Sequence, residues 1–349
     1  MQSRNNNIDI VKAISCIGIV LMHCDYPNNI TIYIKVINRF GVPFFYFVSG
    51  YYFIKNNDIK LKKIILKIIH IFNLLFYSGI FYLIFFLIYK NNLYHYNWNI
   101  GNYTKKIFTK GKIMKFLISN DPFIYSHLWF LLALLYSYFL LFVLKILNNN
   151  IIVNNIFVVT AIFFGEIGYI ILGEFSGLKI IKTTYLISNT DKSIYFPNLF
   201  IFRAFPFIMI GIYIRINNIK INLSLKKYFF IFIIGTFLSC IEYYFINKSL
   251  IIYISTFIQI FSLIGFSISN DQIKRKFLLL SYIGRELSPK IYIYHIAIKK
   301  LVYLILLRLK FKFLVYFQFL MVLLLTITIS LILKIIQNYY LIYKKIKLK

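Results

Sequence analysis

Residues 8–24 read IDIVKAISCIGIVLMHC, an apolar run close to the ~20 residues that a helix needs to cross a bilayer. Comparable runs recur along the whole sequence. Of the 349 residues, 60% are hydrophobic and only 14% are charged, whereas roughly a quarter of the residues in soluble domains are charged. The sequence therefore predicts an all-α integral membrane protein in which residues 1–349 form a single transmembrane domain, without a separate soluble domain.

We predict a bundle of about ten transmembrane helices, one for each apolar run. Their ranges are 8–24, 36–54, 64–89, 128–147, 151–172, 198–216, 228–246, 250–268, 291–307 and 313–336. An even number of spans places both termini on one side. Basic clusters at 60–67 and 274–276 and the tail at 344–349 indicate that this side is cytoplasmic, because short basic loops stay inside. Two basic connections, at 105–115 and 308–312, would lie outside and oppose this orientation.

The net charge of +30 could indicate a nucleic-acid-binding protein. The lysines, however, lie beside the apolar runs and do not form one basic domain or a groove-reading motif. We interpret them as topology signals of a multi-pass plasma-membrane protein, with anionic lipid headgroups as secondary partners, and we expect no nucleic-acid partner. The sequence contains no recognisable metal-ligand cluster or Gly-rich phosphate loop, so we expect no metal.

Three ionisable residues, Asp9, Lys12 and His23, lie in the first apolar run. Ionisable side chains are costly within a membrane and are therefore functional candidates. At about 100° per residue they share one helix face, and the rise of about 1.5 Å per residue separates Lys12 from His23 by roughly 16 Å. Asp9 lies one turn from Lys12 and could pair with it.

This arrangement suits a cation that binds an anionic ligand at one end of the helix and an imidazole that transfers a proton at the other. An alternative involves no chemistry. Asp9 would then lie among the headgroups, Lys12 would extend to the interface, and His23 would simply end the span.

Residues 7–12, continuing to His23, resemble the opening of the acyltransferase 3 family of membrane proteins. Three further segments resemble that family in the expected order, and a fourth is a looser match: FGVPFFYFVSG (40–50), HLWFL (127–131), IYIYH (291–295) and FRAFPF (202–207) with Gly211. The resemblance covers nearly the whole chain. It implies a ten-helix enzyme that takes an acyl group, commonly acetyl from cytoplasmic acetyl-CoA, and places it on a hydroxyl of a cell-surface or lipid-linked glycan.

For such a transfer we predict His23 as the catalytic base, because the acceptor hydroxyl loses its proton as it attacks the thioester. The resemblance implies that Lys12, Lys63 and Lys67 bind the acyl donor, while Lys60 and Lys62 are alternatives to the last two. The family usually has arginine at the position of Lys12 and an arginine pair, with another spacing, near Lys63 and Lys67. Lysine binds phosphate as a point charge without the bidentate fork of arginine.

Six further residues are predicted to support or line the site. They are Asp9, Ser49, Trp129, Glu166, Arg203 and His295. Arg203 could bind a substrate anion, and Glu166 could pair with a lysine. Ser49 could carry an acyl group, although the Ser49-Gly50 pair is more typical of close helix approach.

Two of these residues have simpler explanations. Trp129, together with His127, is typical of an interfacial aromatic belt. His295 lies one turn before Lys299 and could merely face a wet cavity.

Two rival functions remain open at this stage. A transporter or flippase for an anionic or lipid-linked solute would also place charged residues within a helix bundle. A catalytically inactive relative, acting as an interaction or sensing protein, would explain the lysines at arginine positions. For the enzyme we expect a glycan or lipid-linked sugar acceptor, membrane lipids and other polysaccharide-biosynthesis proteins as partners.

Overall fold

The computed structural model describes residues 5–26, 30–54, 59–94, 109–123, 125–148, 150–170, 199–221, 223–246, 253–269, 277–309 and 317–347. Within these ranges the regular elements are helices and no strand is formed, which confirms the predicted all-α class. Parts of the predicted spans, at 171–172, 198, 250–252 and 313–316, lie outside the described residues. The basic segments at 105–108, 274–276, 310–312 and 348–349 also lie outside them.

The described residues form fourteen α-helices. They are α1 (Asn6–His23), α2 (Ile30–Ile37), α3 (Gly41–Phe53), α4 (Leu61–Tyr94), α5 (Lys110–Ser119), α6 (Trp129–Leu147), α7 (Asn155–Ile170), α8 (Phe200–Arg203), α9 (Phe205–Ile216), α10 (Leu225–Ile246), α11 (Ile254–Ile268), α12 (Leu278–Tyr282), α13 (Ser288–Leu309) and α14 (Gln318–Lys347). A π-helical segment, Ile283–Leu287, joins α12 to α13, and short 3₁₀ turns precede α6 and α7.

Five helical segments of the described chain are long and apolar enough to cross a membrane. They are Asn6–His23, Leu61–Tyr89, Ser126–Leu147, Leu225–Ile246 and Gln318–Tyr340. Three shorter apolar helices are Asn155–Gly168, Phe205–Ile216 and Ile254–Ile268. The total of ten spans therefore stays a prediction.

The predicted span 36–54 is not one helix, which corrects the sequence prediction. α2 ends at Ile37, α3 begins at Gly41, and the turn between them packs on α1. The side chain of Asn38 contacts Gly18 so closely that a Cβ on Gly18 would overlap its amide oxygen. Apolar composition alone does not reveal this break, because most of the flanking residues are as apolar as those of a continuous span.

Large apolar side chains are exposed along the outer helices. Phe76 on α4, Phe237 on α10 and Ile335 on α14 are each more than half exposed. Such surfaces would be costly in water, by about 25 cal/mol per Å², and hydrocarbon tails solvate them instead. α1 is different, because 61% of the residues in its apolar segment are buried, compared with 17% for each of α4, α10 and α14.

The chain divides into two compact units. Unit 1 comprises residues 1–44, 220–249 and 255–349, and unit 2 comprises residues 45–219 and 250–254. Unit 1 thus contains α1, α2, α10, most of α11 and α12 to α14, whereas unit 2 contains α4 to α9 and most of α3.

In unit 1, α1 packs along the π segment and α13 in the same direction. A Cβ on Gly284 would overlap the backbone oxygen of Asp9, so the two backbones touch at this point. Farther along, the Cys16 thiol lies 3.7 Å from the Ser288 carbonyl oxygen. α14 runs antiparallel to α13 and therefore returns the chain to the end of unit 1 at which α1 begins.

In unit 2, glycine contacts join α3 to α9. A Cβ on Gly50 would overlap the Ile208 carbonyl oxygen, and one on Gly211 would overlap that of Phe47. These contacts confirm the prediction that the Ser49-Gly50 pair permits close helix approach.

Candidate active site

The first turn of α1 is fixed by side-chain hydrogen bonds. The Asn5 side chain caps the helix by accepting from the backbone N–H groups of Asn7 and Ile8, at 2.9 and 3.3 Å. The Asn7 amide donates to the Phe266 carbonyl oxygen of α11 at 3.2 Å and to the Ser269 hydroxyl at 3.3 Å. The beginning of α1 is therefore held in a defined position within unit 1.

Asp9 and Lys12 form the ion pair that their spacing predicts. Their Oδ1 and Nζ atoms are 3.8 Å apart, the Asp9 side chain is almost completely buried, and Lys12 is mostly buried. Gly284 lies against the Asp9 backbone, so the pair sits where α1 meets the π segment.

His23 and His295 lie side by side at the opposite end of α1. Their ring centroids are 5.1 Å apart, and His295 is only 1% exposed. The Nδ1 atom of His295 is 3.1 Å from the Ile291 carbonyl oxygen and 2.8 Å from that of Tyr292. Because carbonyl oxygens can only accept, Nδ1 carries a proton.

Charged side chains surround this histidine pair. Lys299 donates to the Asp25 carboxylate at 2.8 Å, and the Asp25 side chain is 64% exposed. Lys299 and Lys35 both lie within electrostatic range of His23. Cations beside a base can stabilise negative charge that develops on a reacting oxygen.

Lys63 and Lys67, the other predicted donor ligands, make their contacts within unit 2. Lys63 donates to the Phe53 carbonyl oxygen at the end of α3, where a cation complements the helix dipole. The Lys67 ammonium lies 5.7 Å from the ring centroid of Tyr138. These contacts support the packing of α3, α4 and α6, and donor binding by the two lysines stays a prediction.

Ser49 is engaged with the same tyrosine. Its hydroxyl oxygen is 2.9 Å from the Tyr138 hydroxyl, which also donates to the Ser49 carbonyl oxygen at 3.0 Å. These two hydrogen bonds join α3 to α6.

The structure brings Trp129 and Arg203 together. The Arg203 guanidinium lies over the Trp129 indole, 3.2 Å from the ring centroid, and Tyr46 packs beside the same indole at 6.4 Å. Stacking of this kind orients the planar guanidinium. Trp129 and Arg203 therefore form one cluster, which the sequence did not indicate.

The polar side-chain atoms of Glu166 and His127 are buried. The Glu166 carboxylate oxygens are buried and have no hydrogen-bond partner among the described residues, so the predicted lysine partner is not found there. His127 is 5% exposed and packs against Tyr82 and Tyr125, with centroids 4.6 and 5.8 Å away. His127 is therefore packed within unit 2, and its place in an interfacial belt stays a prediction.

One charged cluster was missed at the sequence level. Arg285 and Glu286 of the π segment lie beside Lys334 of α14, and Glu286 pairs with both cations, at 3.1 and 2.9 Å. Lys334 could have indicated this cluster, because it is the one charged residue between Gln318 and Tyr343 in an otherwise apolar segment.

The described residues contain no group of three or more His, Cys, Asp or Glu side chains that could hold a metal ion. No curated protein and no solved structure matches the chain. The sequence does match the acyltransferase domain of one family over residues 5–335, nearly its whole length. With five apolar helices long enough to span a membrane, the chain is a membrane protein, and it belongs to the acyltransferase 3 family.

Proposed function

We propose that this protein is a membrane O-acyltransferase that moves acetyl from acetyl-CoA to a hydroxyl of a cell-surface or lipid-linked glycan. Membership of an acyltransferase family supports acyl transfer. The observation that carries the proposal is the placement of two pairs of ionisable side chains at opposite ends of α1, among which Asp9 and His295 are buried. The Asp9–Lys12 pair lies at one end, and the His23–His295 pair lies at the other.

In this proposal His23 removes the proton of the acceptor hydroxyl. The hydroxyl oxygen attacks the thioester carbonyl carbon, a C–O bond forms, and the proton passes to the imidazole of His23. When the tetrahedral intermediate collapses, the C–S bond breaks and the leaving thiolate takes the proton from His23. Lys299 and Lys35 supply positive charge for the oxyanion of the intermediate.

His295 acts through His23 as a positioning residue. Its Nδ1–H is held by two carbonyl oxygens, so its ring cannot turn freely beside that of His23. A fixed neighbouring ring keeps the base in one orientation, and misplacement of a catalytic group by about 1 Å can cost on the order of 100-fold in rate.

Lys12 binds a phosphate of the donor, while Asp9 holds the ammonium in place when the donor is absent. The orientation that accompanies this role is a plasma-membrane protein with both termini in the cytoplasm. The return of α14 to the end of unit 1 at which α1 begins supports termini on one side. Other polysaccharide-biosynthesis proteins are the expected partners, because they would supply or receive the acceptor glycan.

The test compares the O-acetyl content of surface glycans from cells that express the wild type, His23→Ala or His70→Ala at matched levels. His70 is an exposed histidine of α4 and serves as the matched control. We expect acetylation to be lost with His23→Ala and to be unchanged with His70→Ala. Equal acetylation in all three strains would refute the catalytic role of His23.

The same strains separate the rival functions. A transporter would move solute without consuming acetyl-CoA, and an inactive relative would neither consume donor nor modify glycan. Measuring donor consumption together with solute movement in membrane vesicles therefore distinguishes both rivals from the enzyme.

A further inference from the structure

The π segment carries an unusual concentration of charge for its position. Arg285 and Glu286 are adjacent within it, and Glu286 also pairs with Lys334 of α14 at 2.9 Å. Lys290, in the first turn of α13, donates to the Gln337 amide oxygen at 2.8 Å and lies within electrostatic range of Lys334 and Glu286. We call Arg285, Glu286, Lys290 and Lys334 the π-segment cluster.

The cluster has an excess of positive charge. Three cations lie around the Glu286 carboxylate, which is the one carboxylate among their ion pairs and electrostatic neighbours in the described residues. Like charges held close together raise the free energy of the protein unless an anion compensates them. The cluster is thus suited to bind an anion with more than one negative charge.

Lys334 is less exposed than the isoleucines beside it. It interrupts an apolar run whose mean hydropathy is 2.7, and its side chain is only 21% exposed. Ile332, Ile335 and Ile336 beside it are more than half exposed, as is typical of a surface in contact with lipid. An ionisable residue in such a helix is a functional candidate. Gln337 lies one turn farther along and directs a second polar side chain to the same place.

The local backbone supports the same conclusion. π-helical turns within α-helices are rare and frequently mark functional sites. Here the π segment contains both Arg285 and Gly284, and Gly284 touches the Asp9 backbone of α1. The cluster therefore lies at the end of α1 that carries Lys12, and not at the end that carries His23.

We infer that the π-segment cluster binds the phosphates of the acyl-CoA donor, with Arg285, Lys290 and Lys334 acting alongside Lys12. This inference rests on the proposed function. Arginine offers a planar fork for a diphosphate, while the two lysines contribute point charges. Glu286 compensates part of the charge of Arg285 and Lys334 when the donor is absent and is repelled by the bound phosphates.

The experiment measures equilibrium binding of coenzyme A to the full-length protein in nanodiscs made of neutral lipid. Lys334→Gln should weaken binding about tenfold, the effect of losing one charge-assisted hydrogen bond. Lys226→Gln removes an exposed lysine of α10 within the same unit and should leave binding unchanged. Binding by the wild type should also weaken as salt is raised.

Glu286→Gln gives a change of the opposite sign. Removing the carboxylate increases the positive charge of the cluster, so coenzyme A should bind several-fold more tightly. A purely structural role predicts the reverse, because loss of the ion pairs would loosen the cluster. Unchanged or weaker binding in Glu286→Gln would overturn the inference, as would wild-type affinity in Lys334→Gln.

To distinguish binding of lipid headgroups from binding of coenzyme A, the same variants are measured in nanodiscs that contain phosphatidylglycerol. If the variants alter retention of phosphatidylglycerol but not binding of coenzyme A, the cluster binds lipid headgroups and the inference is wrong. Failure of the proposed function looks different, since the wild type itself would then not bind coenzyme A. Binding by the wild type with equal binding by every variant would refute the cluster alone.

Discussion

Gly284→Ala tests whether contact between α1 and the π segment matters for function. A Cβ at this position would overlap the Asp9 carbonyl oxygen and would lie 2.8 Å from the Ala13 backbone nitrogen. Ordinary contacts of a Cβ begin at 3.4 Å, so the Ala13 contact alone requires α1 to retreat by about 0.6 Å. Both obstacles are backbone atoms, which cannot rotate away as the end of a flexible side chain can.

Two effects oppose each other in this variant. Alanine is favoured over glycine within a helix by about 1 kcal/mol, whereas overpacking in a close-packed interior costs about 1–3 kcal/mol. We expect a lower free energy of unfolding overall. Because the shift displaces Asp9 and Lys12 by at least about 0.6 Å, we also expect O-acetylation to fall by at least about tenfold, given that a 1 Å misplacement can cost roughly 100-fold.

Gly79→Ala is the matched control, because a Cβ on Gly79, in the middle of α4, has no neighbouring atom within 4 Å among the described residues. It should raise stability by up to about 1 kcal/mol through helix propensity alone and leave acetylation unchanged. Thermal unfolding in detergent and the O-acetyl content of surface glycans measure the two effects. If Gly284→Ala behaved like Gly79→Ala in both assays, the close approach of α1 to the π segment would be refuted.

Substitutions at three further positions test individual side chains. Ser49→Ala should lower the free energy of unfolding by about 1 kcal/mol, because the hydrogen bond with Tyr138 is lost. Acetylation should be largely retained. Complete loss of acetylation would instead indicate an acyl-serine intermediate. Arg203→Met should destabilise unit 2 by about 0.5–2 kcal/mol. It should also change the fluorescence of Trp129, measured in a Trp98→Phe background that leaves Trp129 as the single tryptophan. An unchanged emission spectrum would contradict the stacking. Lys12→Arg should retain or raise the affinity for coenzyme A, because guanidinium binds phosphate bidentately. Lys12→Gln should lower that affinity about tenfold. Equal binding by the two variants would rule out a donor contact at this position.

Features that depend on neighbouring residues were predictable from the sequence. Asp9 and Lys12 are three residues apart on a helix, and helical geometry alone brings their charges together. The Ser49-Gly50 pair predicted close helix approach for the same local reason, since a glycine lets another backbone come near.

Features that depend on helices distant in the sequence were not predictable. His23 and His295 were each identified as ionisable residues in apolar runs, but their contact arises from the packing of α13 along α1. Arg203 and Trp129 were likewise considered one at a time, and the stacking between them depends on how α8 meets α6. The cost of an intramembrane charge identifies candidates without showing which of them meet.

The separation between the two ends of α1 leads to a kinetic distinction under the proposed function. Cations that hold the donor phosphates make the same contact in the bound substrate and in the transition state, so their loss should raise KM with little change in kcat. His23 exchanges a proton only as the reaction proceeds, so its loss should lower kcat. Because roughly 16 Å of helix lies between Lys12 and His23, neither group can replace the other, and effects on KM and on kcat should map to opposite ends of one buried helix.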